Sequence, residues 1–194
     1  MKQTAALLVC VTILLAASGC GPSKRQYTLP ERRQIIDNMA SESLQRLYIE
    51  RPGTQQEIAE SAGYGVFSNT NVCVVFASGG GGYGVVVDKT TRRKTYMKVT
   101  SGGVGFGVGA KDCRQVAVFR TRQALVDFIG SGWDLGSQAD ATAKNGETGS
   151  GVGGDGTVNP NVSIYTMTQT GLSLQATVNG SRYWVDEELN QPSL

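Results

Sequence analysis

The feature that most constrains the fold of this chain is glycine at alternate positions in two stretches of β-type sequence. The stretches are SGGGGYGVVVD, residues 78–88, and SGGVGFGVGAK, residues 101–111. Because successive side chains of a strand point to opposite faces, the second stretch puts Val104, Phe106 and Val108 on one face and glycine on the other. Glycine inside a strand costs stability, so we expect another backbone, a helix or bulky rings to lie against the bare face.

Three helices are predicted around this β region. Residues 28–31, TLPE, form a capping box with proline in the first turn, and apolar residues then recur at helical spacing over residues 30–50. Residues 51–53, RPG, end that helix, and a shorter one follows from Thr54 to Ala62. A third helix is expected after Thr121, whose hydroxyl can cap its first turn.

The fold class expected from these elements is α+β. The sheet is curved, mostly antiparallel and barrel- or sandwich-like, with N-terminal helices and one internal helix, all in a single domain over residues 30–194. The composition of residues 144–160 predicts a flexible glycine-rich loop. The predicted strands are residues 64–68, 71–78, 82–88, 95–100, 103–109, 114–120, 133–143, 161–167, 172–178 and 181–185, the last three forming a meander, with a final turn at 187–189.

The N-terminal residues have the pattern of an export signal. Lys2 precedes the uncharged run of residues 5–18, which is shorter than the roughly 20 apolar residues of a transmembrane helix. Small residues then lead into Cys20, as in the bacterial lipobox, whose cysteine is acylated and becomes the N-terminus after cleavage. We therefore expect a signal peptide at residues 1–19 and a lipidated tether at residues 20–29.

This interpretation places the protein in the bacterial cell envelope. Gly21 follows the cysteine, and by resemblance to enterobacterial sorting rules this favours the outer membrane, facing the periplasm. An ordinary signal peptide, cut near Ala17 without lipidation, is the alternative.

Composition excludes several classes of function. The chain has no histidine, so the commonest general base and metal ligand is missing, and we expect no enzyme, no metal site and no cofactor. The formal net charge of +2 argues against nucleic acid as the main partner. Residues 79–84, GGGGYG, match Gly-x-Gly-x-x-Gly, but a strand run follows where a nucleotide site needs a helix N-terminus.

Two cysteines remain beyond the predicted signal and Cys20. Cys73 and Cys113 would lie in an oxidising compartment, where a disulfide between them is compatible with the sequence. Two buried thiols that pack as small hydrophobes are equally compatible.

One cluster of charges is a candidate binding site. The polar turn DKTTRRK, residues 88–94, is strongly basic. It can bind anionic headgroups, and each basic residue near the membrane surface contributes about 1 kcal/mol to the binding free energy. An ordinary hairpin turn kept soluble by its charges is the alternative. The lipid-binding candidates are Lys89, Arg92, Arg93 and Lys94, assisted by Lys98 and Lys111. The acidic residues 186–188 are predicted to form a solvated C-terminal face.

Four segments in a specific order carry a family resemblance. They are ESAGYGVF, GGGGYGVVVD, SGGVGFGVGAKDCRQVAVFRTRQALVDFIGSGWDLGSQADATAKNG and IYTMTQTGLSLQATVNG. Over residues 57–190 the chain resembles the SYLF domain, a lipid-binding module also found in eukaryotic endocytic proteins. The resemblance implies binding to phospholipid. Phosphoinositides and actin, partners of eukaryotic members, do not carry over to a bacterial envelope.

These observations lead to one functional hypothesis and an alternative. The first is a lipid-anchored, non-catalytic envelope protein whose domain binds phospholipid or another amphiphile, with the glycine-faced strands leaving room for a chain or ring. The alternative is a structural or assembly protein of the envelope whose glycine-rich face packs on a protein partner.

Overall fold

The structure is a computed structural model that describes residues 22, 26–131, 155–168, 171–172 and 179–192. Three helices and six strands lie within these ranges. They are α1 (Leu29–Glu50), α2 (Gly53–Glu60), β1 (Gly63–Asp88), β2 (Lys94–Phe119), α3 (Arg122–Ser131), β3 (Asp155–Asn159), β4 (Val162–Thr168), β5 (Gly171–Leu172) and β6 (Asn179–Val185). No helix among these described residues is long and apolar enough to cross a bilayer.

The helices begin where local sequence signals predict. At the start of α1, the backbone N–H of Thr28 donates to the Glu31 carboxylate at 2.7 Å, which is one of the two bonds of a capping box. The Thr28 hydroxyl also donates to this carboxylate, at 2.7 Å. At the start of α3, the Thr121 hydroxyl accepts a hydrogen bond from the Ala124 N–H at 3.3 Å. All three predicted helices are confirmed within two residues at each described end.

The sheet is built on one long hairpin. β1 and β2 pair antiparallel over 26 residues each, from Gly63 opposite Phe119 to Val87 opposite Lys94. The sequence analysis divided this hairpin into six shorter strands, and those breaks are wrong. An unbroken partner strand satisfies the backbone groups of the residues between the predicted strands, such as 69–70 and 79–81, so the ladder continues through them.

The second edge of β2 is shared between two strands. β4 pairs with residues 113–119 of β2, and β6 pairs with residues 97–103, while β3 and β5 both pair with β4. Of the predicted meander, the pairing of its first two strands is confirmed by β4 and β5, and residues 173–178 lie outside the described residues. β6 pairs with the first half of β2. The predicted loop is wrong at residues 155–159, which form β3. Every described strand pair is antiparallel, and the described strands form a curved sheet that does not close.

The two halves of β1 pack on each other. A Cβ built on Gly82 would lie less than 3.0 Å from the carbonyl oxygen of Ser68, and one on Gly84 equally close to that of Val66. Real Cβ atoms do not approach a backbone oxygen so closely, so only glycine fits at these two positions. The ladder is irregular between Val75 and Ala77, in the segment where the strand turns back. The expected close approach to a bare glycine face is thus confirmed at residues 82 and 84.

Each face of the sheet is covered by one helix. α1 packs its buried face, which includes Ile36 and Leu47, on one side. α3 covers the other side, where Phe128 meets Phe67 and Tyr183 with ring centroids 5.9 and 5.3 Å apart. The last turn, residues 187–190, forms where a turn was predicted. The strand predicted at 133–143 and the rest of the one at 172–178 beyond Leu172 lie outside the described residues.

Candidate functional site

The turn between β1 and β2, residues 88–94, is called here the basic turn. Its conformation is held by Asp88, whose Oδ1 accepts the backbone N–H groups of Thr90 at 2.9 Å and Thr91 at 3.1 Å. The same carboxylate receives the guanidinium of Arg122 at 2.9 Å, and the Asp88 N–H donates to the Arg93 carbonyl at 3.0 Å. The turn is therefore an ordered structure with Asp88 at its centre.

The pKa of Asp88 reflects this arrangement. Desolvation acts to raise the pKa, but the hydrogen bonds from Thr91, from the guanidinium of Arg122 and from the N–H of Thr90 outweigh it. The result is a pKa below the ordinary value for an aspartate. Asp88 thus holds a negative charge beneath a turn whose exposed side chains are positive.

Lys89 points back into the molecule. Its ammonium group donates to the carbonyl oxygens of Ile58, at 2.7 Å, and Ala59. These carbonyls lie in the last turn of α2, where a cation is favoured by the helix dipole and by carbonyls with no partner within the helix. Lys89 therefore joins the basic turn to α2, and its ammonium group is bound to backbone carbonyls of the same chain.

Lys94 and Lys98 are also paired within the chain. Lys94 lies 2.8 Å from Asp37 of α1, and Lys98 lies 3.1 Å from Asp186. Asp37 also accepts from the hydroxyl of Tyr96 at 3.3 Å, and desolvation together with this carboxylate raises the pKa of that hydroxyl to about 12. These two lysines contribute to the packing of α1 and the C-terminal segment on the sheet.

Arg92 and Arg93 are exposed at the tip of the turn. Within the described part of the chain, neither side chain has a hydrogen-bond or ion-pair partner. Arg92 has a positive φ of 57°, a conformation that side chains other than glycine rarely adopt. Of the six lipid-binding candidates, these two arginines are thus presented to solvent with their charge uncompensated. The side chain of the sixth, Lys111, lies outside the described residues.

A buried cluster of charges lies beside α1, and the sequence analysis missed it. Arg32 is 5% exposed, and its guanidinium lies 3.8 Å from Asp186 and 3.2 Å from Glu188. Asp186 is only 2% exposed, so assigning it to a solvated C-terminal face is wrong. Since a buried charge is tolerated when it is paired, this cluster fixes the C-terminal segment to the first turns of α1. No signal in the sequence connects residues so far apart.

A second missed cluster joins α2 to the sheet. One carboxylate oxygen of Glu57 accepts from Arg120 at 2.9 Å and from the hydroxyl of Ser163 at 2.7 Å, and the other accepts from the hydroxyl of Tyr165. Partial burial acts to raise the pKa of Glu57, but the bonds from Tyr165 and Ser163 and the charge of Arg120 lower it overall. Ser163 also accepts from Arg120 at 2.6 Å. The groups satisfy one another, so we assign the cluster a structural role.

The space beneath α3 is small and apolar. Its walls include Phe67, Phe119, Phe128 and Val162, and its volume is about 10 Å³. This is room for about one water molecule, far below the 150 Å³ of a cavity that takes a benzene ring. This cavity therefore has no room for an acyl chain or ring, and at Gly82 and Gly84 the bare face is filled by the chain itself.

The strand register bears on the cysteines. Cys73 is opposite Gly109, while Cys113 is opposite Asn69, so the two cysteines lie on neighbouring strands but four residues out of register. That offset is about 13 Å along the strands, whereas a disulfide needs Cα atoms within about 7 Å. Cys113 is in the thiol form. Of the two alternatives left open by the sequence, the disulfide is incompatible with this register, which favours two thiols. Cys20 lies outside the described residues.

Comparison with known proteins identifies the family. Residues 100–192 match the family model described as Ysc84, Las17-binding protein actin regulator. Residues 100–192 carry the Ysc84/SYLF domain. Beta cell expansion factor A from Aeromonas veronii is 31% identical to the chain over 166 residues, which is 86% of this chain. The chain spans 62% of the length of that relative. The resemblance to the SYLF family is confirmed.

The matched segment contains part of the buried charge cluster. It begins within β2 and ends in the C-terminal segment, so it includes Asp186 and Glu188 of the buried cluster. The basic turn, residues 88–94, precedes the segment that the family model matches. Among the described residues, no group of three cysteine or acidic side chains is arranged to hold a metal ion.

Proposed function

We propose that this SYLF protein is a non-catalytic, lipid-anchored protein of the bacterial envelope that binds anionic phospholipid through Arg92 and Arg93. The observation that carries the proposal is a division among the basic residues in and near the basic turn. Lys89, Lys94 and Lys98 are paired inside the molecule, whereas the two arginines are exposed and uncompensated in the described part of the chain. Guanidinium groups can bind phosphate oxygens with two parallel hydrogen bonds.

The expected strength of this contact is modest. A basic residue close to an anionic surface contributes about 1 kcal/mol, so two arginines contribute about 2 kcal/mol, or about 30-fold in affinity. Surface binding of this strength needs a second attachment to hold a protein at a membrane. The lipobox at residues 17–20 would supply it through acyl chains on Cys20.

The tether is long enough for both attachments to act together. Residues 20–28 span at most about 29 Å when fully extended, and α1 begins directly after them. Asp37, in the third turn of α1, contacts Lys94 at the end of the basic turn. A tethered turn meets the surface at a high effective concentration, so even a weak contact with headgroups would be occupied.

The glycine-rich face supports this proposal better than the alternative of a protein partner. At Gly82 and Gly84 the backbone of residues 66–69 already occupies the bare face. The surface at those two glycines is therefore covered by the chain's own backbone, and a protein partner cannot pack against it. An assembly role remains an outcome of the tests below, recognised by a stoichiometric protein that copurifies with the chain.

The test compares two pairs of substitutions that remove the same charge. In the chain carrying Cys20→Ser, so that acylation does not mask the contact, Arg92→Gln with Arg93→Gln should weaken flotation with vesicles containing phosphatidylglycerol by about 30-fold at low salt. The matched control, Arg46→Gln with Arg51→Gln at the other end of α1, should change it by less than threefold. Equal effects of the two pairs would remove the basic turn from the site.

The anchor is tested by fractionation of the same Cys20→Ser chain. It should lack the acylated N-terminal peptide in mass spectrometry and should leave the membrane fraction at high salt. Recovery of the acylated peptide from this variant would refute the assignment of Cys20.

A further inference from the structure

A second exposed feature lies on β6, and its interpretation rests on the proposed function. Trp184 is 41% exposed, and Arg182, two residues earlier on the same strand, is also exposed. Tyr183 and Ser181 alternate with them and are buried on the α3 side. β6 thus turns a tryptophan and an arginine outward, on the face of the sheet opposite to α3.

This feature lies beside the first turns of α1. Trp184 pairs with Lys98 in the ladder, and the ammonium group of Lys98 lies 3.1 Å from Asp186. Arg32, which belongs to the first turn of α1, lies 3.8 Å from the same carboxylate. The helix therefore begins close to Trp184, at the point where the chain arrives from Cys20.

A second aromatic side chain belongs to the same region. Tyr27, which comes just before the capping residue of α1, is 37% exposed. Isolated apolar side chains are common on protein surfaces and need no explanation. Here two amphipathic aromatic residues occur with Arg182, which has no charged partner within the described part of the chain, on segments that lead to the start of one helix. That combination is typical of proteins at a membrane–water interface.

We propose that Tyr27, Arg182 and Trp184 form an aromatic rim that contacts the headgroup layer of an anionic bilayer. Tryptophan and tyrosine rings are favoured at this depth because one end of each is apolar and the other can bond to water or headgroups. Arg182 complements the negative charge of the lipid phosphates. The bilayer is the occupant because the tether ends at this rim: the acyl chains on Cys20 cannot lie more than about 29 Å from Thr28.

The rim assigns an orientation to the domain. β2 runs from the basic turn, residues 88–94, to Lys98, the partner of Trp184, so the two contacts lie within about 20 Å of each other. The basic turn provides charge, and the aromatic rim provides a ring that enters the interface. With both engaged, the end of the β1–β2 hairpin that carries the basic turn would face the lipid.

The inference is tested with Trp184 as its own reporter. The chain has two tryptophans, so Trp133→Phe leaves Trp184 as the fluorescent residue. In the Cys20→Ser chain, vesicles containing phosphatidylglycerol should shift its emission to shorter wavelength, and brominated acyl chains should quench it. Trp184→Ala should lower vesicle affinity about tenfold, as expected for an exposed part of an indole ring removed from water. The matched control Ile49→Ala, an exposed apolar residue near the end of α1, should leave affinity unchanged.

The outcomes separate the two proposals. If the protein floats with vesicles but the emission of Trp184 is neither shifted nor quenched, the aromatic rim is refuted and binding through the basic turn stands. If the protein does not float with anionic vesicles at all, both proposals are refuted. If the emission of Trp184 changes with protein concentration in the absence of vesicles, the rim is an interface between copies of the chain, and its assignment to lipid is refuted.

Discussion

Two regions of the β1–β2 hairpin, a few residues apart, have opposite relations to the rest of the molecule. At Gly82 and Gly84 the backbone has no room for a single methyl group, because the start of the same strand lies against it. At Arg92 and Arg93 two long charged side chains are exposed, with no partner in the described part of the chain. The first region is determined entirely by packing, and the second is left available for something outside the chain.

The difference shows why composition alone is a poor guide to function here. Glycine runs and basic runs are both conspicuous in the sequence, and both suggested binding. The structure uses the glycines to bring two parts of one strand together, and it uses Lys89 to join the turn to α2. The part of the hairpin that supports a binding role is therefore much smaller than its unusual composition suggests.

The largest expected effect is at the packed glycines. Gly84→Val should lower the free energy of unfolding by about 3 kcal/mol or more, because the added side chain overlaps the carbonyl of Val66 and the ring of Phe67. Gly79→Val is the matched control: it lies on the same strand, and a Cβ there meets nothing within 4 Å. Denaturant unfolding of the two variants measures the difference. If Gly79→Val is as destabilising as Gly84→Val, the cost belongs to any side chain in this strand, and the packing argument fails.

An intermediate effect is expected at Lys89, which separates the structural part of the basic turn from the exposed part. Lys89→Met should lower the free energy of unfolding by about 1–3 kcal/mol, since it removes charged hydrogen bonds to the carbonyls of Ile58 and Ala59. Arg92→Gln with Arg93→Gln should leave it within about 0.5 kcal/mol, because exposed side chains away from any contact contribute little. Thermal unfolding of both variants would contradict the division of the turn if their stabilities were the same.

The smallest effect concerns pH and the centre of the turn. The pKa of Asp88 is lower in the folded chain than in the unfolded one, so its carboxylate stabilises the fold above the unfolded pKa of about 4. That contribution is lost as the pH falls through the folded pKa. Asp88→Asn should therefore be slightly less stable at pH 7 and should converge with the parent chain near pH 2. A constant difference across this range would show that Asp88 does not act through its charge.

Local signals in the sequence were sufficient for the helices and for the α+β class. The capping box at Thr28 and the cap at Thr121 act over three residues, so they are present in the sequence whatever the rest of the chain does. The order of the segments that resemble the SYLF domain is likewise a property of the sequence, and it identified the family. The need for a close approach to the glycine face also followed directly from strand alternation.

The tertiary structure alone decided which partners meet. The length of β1 and β2 depends on a continuous ladder between them. No residue type at 69–71 or 79–81 indicates that its backbone groups are paired with a neighbouring strand. Glu57 meets Ser163, 106 positions away, and Arg32 meets Asp186, because helices and sheet pack together. Pairing of this kind determines which charges are neutralised. The sequence specified where the basic residues of the turn stand, while the fold determined that, among them, Arg92 and Arg93 are exposed without a partner in the described part of the chain.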